Sequence, residues 1–369
     1  MKALITIPHS FFLKKVAGVP LIKRIIKVLQ KFGIYEIYIL SNILELEKDN
    51  EIQVIRKKEE VQEKLGDSYL LIDVPAVFDM DFLKDIYFSK KEGILAFSKA
   101  VPYQGKGIFQ VLTKDQDIKK AEKLLLKSLR KPYDTFISRT LNRPVSLFVS
   151  SFLMKTPITP NWITFIVFLI SLAASGLMIF LPETDGKWLG ISIYYWQGLL
   201  GGTLFHIASV LDGCDGEIAR LKFKSSKLGT WLDNISDELT NFIFFGAVGL
   251  YSAKLYQDSF YLSMALLSMG LFFLTKILQY TMIFMKLQEE DIAKFDFDFK
   301  KNATGFKKVL VFLFSIGENI ARNDFLALGM MVAGIFALFY FAAYVIFVFT
   351  SALFVSVVIE FVKKVVLKK

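Results

Sequence analysis

The stretch LDGCDGEIARLKFKSSKLGTWLDNISDELTN, residues 211–241, carries the most informative pattern in this chain. Asp212 and Asp215 stand three residues apart at the end of one apolar run, and Asp233 and Asp237 stand four apart at the start of the next. Either spacing puts a pair of side chains on one helix face. A short basic linker joins the two runs, so both faces are expected to meet across a single pocket. Carboxylates are costly in a bilayer-spanning segment, by about 2.5–3.5 kcal/mol each at the membrane centre and less near its edge. Four of them facing one another repel unless a cation compensates. Cys214 is the only cysteine, which excludes an intramolecular disulfide and a multi-thiolate metal cluster. Hard carboxylate oxygens select Mg²⁺, Mn²⁺ or Ca²⁺, so the pattern predicts a divalent metal site. Helix capping is the alternative; it suffices for Asp233 alone, in a first helical turn, but not for four acids at this spacing.

Outward from this stretch the chain is strongly apolar, with 54% hydrophobic residues and 37 phenylalanines among 369 residues. Asn161–Leu181 is uncharged and about the length that crosses a bilayer core. Leu189–Leu211, Trp231–Ala253 and Ser259–Met285 read as further spans, the last charged only at Lys276. Phe325–Ile359 is uncharged throughout and would measure about 52 Å as one helix, too long for one ordinary crossing. It is expected to turn near Tyr340–Tyr344, giving six spans. Lysine and arginine gather in cytoplasmic loops. They gather here at Arg220, Lys222, Lys224 and Lys227, at Lys294, Lys300, Lys301, Lys307 and Lys308, and at Lys363, Lys364, Lys368 and Lys369. Six spans with both termini inside satisfy all three clusters, so a multi-pass cell-membrane protein is expected. The net charge of +10 lies beside the spans, where it sets topology and meets anionic lipid, and nucleic acid is not an expected partner.

The first 130 residues are charged and read as a soluble unit, with strands at Ala3–Ile7, Glu36–Leu40 and Tyr69–Asp73, a helix around Leu21–Phe32, and the segment Asp81–Ile86 following the third strand. Short apolar strands alternating with helices indicate a parallel α/β sheet. The opening MKALITIPHS has no secretory-signal pattern, so this unit is expected in the cytosol. Tyr133–Lys155 mixes Arg139 and Arg143 with Phe136, Leu141, Val145 and Phe148, the composition of an interfacial helix. The expected divisions are 1–132, 133–160 and 161–369.

Residues 212–237 also match every fixed position of D-x2-D-G-x2-A-R-x8-G-x3-D-x3-D, at Asp212, Asp215, Gly216, Ala219, Arg220, Gly229, Asp233 and Asp237. This resembles the signature of the CDP-alcohol phosphotransferases, and the resemblance covers roughly residues 133–369. It implies a six-helix catalytic unit, usually a homodimer in the membrane lipid, that joins a CDP-alcohol donor to an alcohol or alcohol-phosphate acceptor and releases CMP. It further implies two Mg²⁺ ions, or Mn²⁺, held chiefly by Asp212, Asp215 and Asp233, with Asp237 both a ligand and the candidate base. Gly216, Ala219, Arg220 and Gly229 belong to the donor side; packing explains Gly229 as well, and topology explains Arg220. Lys276, Arg322, Arg139 and Arg143 are candidates for a phosphate on the acceptor, against snorkelling for Lys276 and helix anchoring for Arg322. A transporter or ion pathway is the rival reading, but it predicts acids near the midplane rather than gathered beside a basic linker.

The run KKVAGVPLIKRIIKVLQKFGI, residues 14–34, is similar to the start of sugar-phosphate nucleotidyltransferases, such as the inositol-phosphate cytidylyltransferase domains fused to some members of this family. Where their glycine loop would cradle phosphates, this chain has Ile7, Pro8, His9 and Ser10, and Phe11 stands where the catalytic lysine aligns. Lys14, Lys15 and Asp73 are the remaining candidates for that chemistry. Without free backbone amides around a triphosphate, the front domain is read as cytidylyltransferase-like and inactive. The whole is therefore expected to be a two-domain membrane protein: an N-terminal α/β nucleotidyltransferase-like domain and an all-α domain of six transmembrane helices.

Overall fold

A computed structural model describes residues 2–7, 10–40, 53–55, 59–65, 69–89, 95–97, 105, 107–130, 134, 136–180, 182, 185–285 and 323–366. Pro8, His9, Tyr133, Arg322, the lysines from Lys294 to Lys308, and Lys368 and Lys369 lie outside the described residues. The chain forms two compact units: Met1–Lys131 with Ser151–Pro157 and Arg220–Phe223, and Pro132–Ser150 with Ile158–Ala219 and Lys224–Lys369.

In the first unit, five parallel strands lie in the order β5 (Gln53–Ile55), β4 (Ile37–Leu40), β1 (Lys2–Thr6), β6 (Tyr69–Ile72), β8 (Leu95–Phe97). Ala3, Leu4 and Ile5 are all buried in β1, as expected of a central strand covered on both faces. The parallel sheet and its strand–helix alternation agree with the sequence pattern. Helix α1 (Leu21–Phe32) buries Leu21, Ile22, Ile25, Ile26 and Leu29 on one stripe, the helical spacing of a core-facing side. Gly33, at φ 94°, ends it and donates to the carbonyls of Leu29 and Gln30, a left-handed closure that costs glycine little. Helices α2 (Glu59–Leu65), α3 (Met80–Ser89) and α4 (Asp115–Ser128) and the antiparallel pair β7 (Ala76–Phe78) and β9 (Phe109–Val111) complete the layer.

Lys15–Val16 (β2) and Val19–Pro20 (β3) form a hairpin in this unit, turning through Ala17 at φ 49° and Gly18 at φ 76°. A Cβ on Gly18 would stand 2.1 Å from the Met154 carbonyl oxygen, so only glycine permits that approach. Beside it, the buried Arg24 donates Nη2 to the carbonyl oxygens of Val16 at 3.0 Å and Leu221 at 2.7 Å. Burial lowers the Arg24 pKa to about 10, with Glu122 opposing the shift; the group stays charged at neutral pH.

The second unit is helical. After α5 (Arg143–Leu153) come α6 (Pro160–Ile179), α7 (Ile193–Leu221), α8 (Lys227–Tyr256), α9 (Phe260–Phe284), α10 (Asn323–Phe336) and α11 (Phe339–Phe361). Among the described residues, α6, α9 and α11 are long and apolar enough to cross a membrane, and α10 is a shorter apolar helix. Their core is built on aromatic contacts, with Phe205 stacked on Phe244 and Phe245 edge-on to Phe272 and Phe349. Small residues bring backbones together: a Cβ on Gly202 would meet the Met330 carbonyl oxygen at 2.3 Å, the close approach typical of helices packed in lipid.

Two helix limits differ from the sequence reading. The second apolar run begins with β10 (Lys187–Trp188) and β11 (Ile191–Ser192). Leu189 at φ 53° and Gly190 at φ 77° turn them, a two-residue loop with both residues left-handed. The long apolar run near the C-terminus breaks at Ala337–Leu338 rather than at Tyr340–Tyr344. Ala337 takes φ 54°, and the Leu338 amide closes on the Ala333 carbonyl at 2.8 Å.

Candidate functional site

Helix α7 runs on through Asp212 and Asp215 to Leu221, and the Lys224 amide closes on the Ala219 carbonyl at 2.9 Å. Arg220 lies in the last turn. Helix α8 starts at Lys227 because Ser226 caps it: its Oγ accepts the Gly229 amide at 3.0 Å, satisfying one of the free N-terminal donors. A Cβ on Gly229 would stand 3.0 Å from that same Oγ and 3.4 Å from Asn161 Oδ1, close contacts beside the cap.

The two helices bring Asp212, Asp215 and Asp233 together, with one carboxylate oxygen from each lying within 4.8 Å of the others. Asp215 is buried; its Oδ2 accepts from Thr164 Oγ1 on α6 at 2.8 Å, and its Oδ1 accepts the Gly216 amide. Asp237 shares a cavity wall with Asp212, and Ser171, Ser209, Thr240 and Asn241 line the same cavity. Three hard oxygens at this separation suit a divalent cation. Oxygen ligands at about 2.0–2.6 Å on opposite sides of one ion lie roughly 4–5 Å apart.

The phosphate candidates fall in different places. Lys276 on α9 forms an ion pair with Glu238 at 3.2 Å, one residue past Asp237. Glu238 also accepts from Tyr280 Oη at 3.0 Å, and Tyr280 stacks on Trp231. Arg139 is exposed and donates to the Asp134 carbonyl at 3.4 Å. Arg143 is buried, with Nε and Nη2 on Asp134 at 3.0 and 3.1 Å and Nη1 on Glu217 at 2.8 Å. Burial works against its charge, but the hydrogen bonds and charges of Asp134 and Glu217 prevail and hold its pKa above the usual value. Sequence reasoning missed Thr164, Glu217 and Asn241. A hydroxyl in an uncharged span and an acid between two signature positions were the available signals.

The sequence model of the CDP-alcohol phosphatidyltransferases matches residues 157–362. A protein of Aquifex aeolicus named bifunctional IPC transferase and DIPP synthase is 36% identical over 137 residues, which are 37% of this chain and 28% of that one. Its namesake in Archaeoglobus fulgidus is 34% identical over 140 residues, 38% of this chain and 25% of its own. The archaetidylinositol phosphate synthase of Pyrococcus horikoshii is 34% identical over 84 residues, 23% of this chain and 37% of its own. The match thus spans 28% or less of either bifunctional relative's length.

Proposed function

The chain belongs to the CDP-alcohol phosphatidyltransferase family, and from that premise we propose that it transfers a substituted phosphoryl group from a CDP-alcohol to an alcohol acceptor, releasing CMP. The observation that carries the reading is the convergence of Asp212, Asp215 and Asp233 from two helices, with Asp237 on the adjoining cavity. The names of the relatives favour an inositol phosphate as one substrate.

Asp212, Asp215 and Asp233 would hold the metal, two Mg²⁺ ions or Mn²⁺ in their place, with Asp237 contributing. When bound, the metal neutralises the donor's pyrophosphate and stabilises the charge of an in-line displacement. Asp237 takes the proton of the acceptor hydroxyl as that oxygen forms its bond to the phosphorus bearing the alcohol. The bond from that phosphorus to the CMP oxygen breaks, and CMP leaves with the electron pair. Thr164 orients Asp215 by its hydrogen bond. Ser171, Ser209, Thr240 and Asn241 offer the cavity hydrogen-bonding groups suited to a hydroxyl-rich acceptor. Lys276, Arg322 and the exposed Arg139 remain candidates for the acceptor's phosphate.

For the whole chain, α6–α11 are the six spans of a homodimeric cell-membrane protein with both termini cytoplasmic. The basic linker Lys222–Lys227 then lies on the cytoplasmic side, with the aspartates beside it. Residues 1–132 form a cytidylyltransferase-like domain without nucleotidyl transfer, followed by an interfacial segment to residue 160. The test is CMP release from CDP-diacylglycerol or CDP-inositol with inositol phosphate, glycerol phosphate or serine, with and without Mg²⁺. Metal-dependent CMP release with one donor–acceptor pair is expected. Its absence from every combination would overturn the reading.

A further inference from the structure

Glu217 is fully buried two residues beyond Asp215. At about 100° of rotation per helical residue, it leaves α7 about 140° around from Asp212 and about 200° around from Asp215. It therefore points away from the aspartate face. On that far side its Oε1 accepts from Arg143 Nη1 and from Ser146 Oγ, each at 2.8 Å. Arg143 in turn grips Asp134 with Nε and Nη2. The same flank of α7 stays close to α5: a Cβ on Gly213 would stand 3.4 Å from Arg143 Nη1, and Cys214 Sγ donates to the Ser146 carbonyl at 3.5 Å. A planar guanidinium held by two carboxylates is fixed in direction as well as distance.

We propose that the buried Asp134–Arg143–Glu217 network is a positioning device that sets the rotation of α7 about its axis and so presents Asp212 and Asp215 to Asp233. The proposal rests on the reading of those aspartates as a metal centre. Both are carried by α7 while Asp233 is carried by α8, so any roll of α7 displaces two ligands together relative to the third. Arg143 acts from behind the helix, through its backbone, and is a positioning residue. Using Arg143 to bind an acceptor phosphate would instead mean withdrawing it from two carboxylates that burial leaves without solvent.

The test uses the full-length chain in detergent, reading Mn²⁺ binding by electron paramagnetic resonance and folding by the melting temperature in metal-free buffer. Groups that orient metal ligands typically contribute about 10–100-fold to affinity. Arg143→Ala is expected to raise the half-saturating Mn²⁺ concentration by about that factor. Arg143→Lys keeps the charge but loses the fork, and Glu217→Gln keeps the shape and one acceptor oxygen, so both should fall between alanine and the native protein. If the alanine variant does not fold, the other two decide. Native Mn²⁺ affinity in every folded variant, with only the melting temperature lowered, would overturn the positioning role. Absence of saturable Mn²⁺ binding by the native chain would overturn the metal-centre reading and this proposal with it.

Discussion

Asp212 and Asp237 line one cavity, but only Asp212 belongs to the tight group of three carboxylates, so the two should fail differently when mutated. Asp212→Ala, Asp215→Ala and Asp233→Ala each remove an oxygen proposed to hold the metal, and donor binding and turnover are expected to fall together. Asp237→Asn keeps size and one oxygen but cannot take a proton. Its donor affinity should survive while single-turnover CMP release falls by about 10²–10⁴-fold, the usual general-base contribution. Near-normal turnover would remove Asp237 from the base role, and lost donor binding would move it into the metal shell. A second residue-scale prediction lies in the front domain. Asp117 accepts from the Thr113 amide, the Thr113 hydroxyl and the Lys114 amide, which together lower its pKa to about 2. A carboxyl whose folded pKa is depressed stabilises the fold above its unfolded value, and that contribution is lost as pH falls through the folded value. The melting-temperature gap between native protein and Asp117→Asn should therefore close between about pH 4 and pH 2. A gap independent of pH would show that the ionised carboxylate contributes nothing.

At the scale of elements, the approach of α7 to α10 at Gly202 allows no side chain. Gly202→Ala is expected to force the helices apart and cost about 1–3 kcal/mol, the usual penalty of overpacking, lowering the detergent melting temperature without altering Mn²⁺ affinity. An unchanged melting temperature would mean the helices separate freely there. The helices themselves were largely legible, because apolar runs bounded by charge and by Pro160 mark where a chain can enter and leave a bilayer. Their breaks were less so. Ala337 bends the chain inside a run with no charge and no proline nearby, so nothing local distinguishes it from the tyrosines that follow. The Lys187–Ser192 hairpin was hidden for a similar reason, since Trp188, Leu189 and Ile191 are as apolar as the helix after them.

For the whole molecule, cysteine placed at Lys224 should react with an impermeant thiol reagent only in inside-out vesicles. Labelling from the outside would overturn the six-span arrangement. The front domain, supplied with CTP and a sugar or inositol phosphate, is expected to release no pyrophosphate, since Ile7, Pro8, His9 and Ser10 include no glycine; detectable release would restore a nucleotidyl-transfer role. A chain cut before Tyr133 retains all four aspartates and is expected to insert and transfer. It should melt earlier, because the Leu221 carbonyl loses its bond from Arg24. The sequence alone determined the α/β front unit, the apolar helices and the carboxylate pairs, because helical and strand periodicities are local and a bilayer penalises every charge that lacks a purpose. Only the tertiary structure decided which groups stand behind those carboxylates. Thr164 reaches Asp215 across 51 positions, and Arg143 reaches Glu217 across 74. Partnerships over such separations are set by how helices pack, and no local spacing records them.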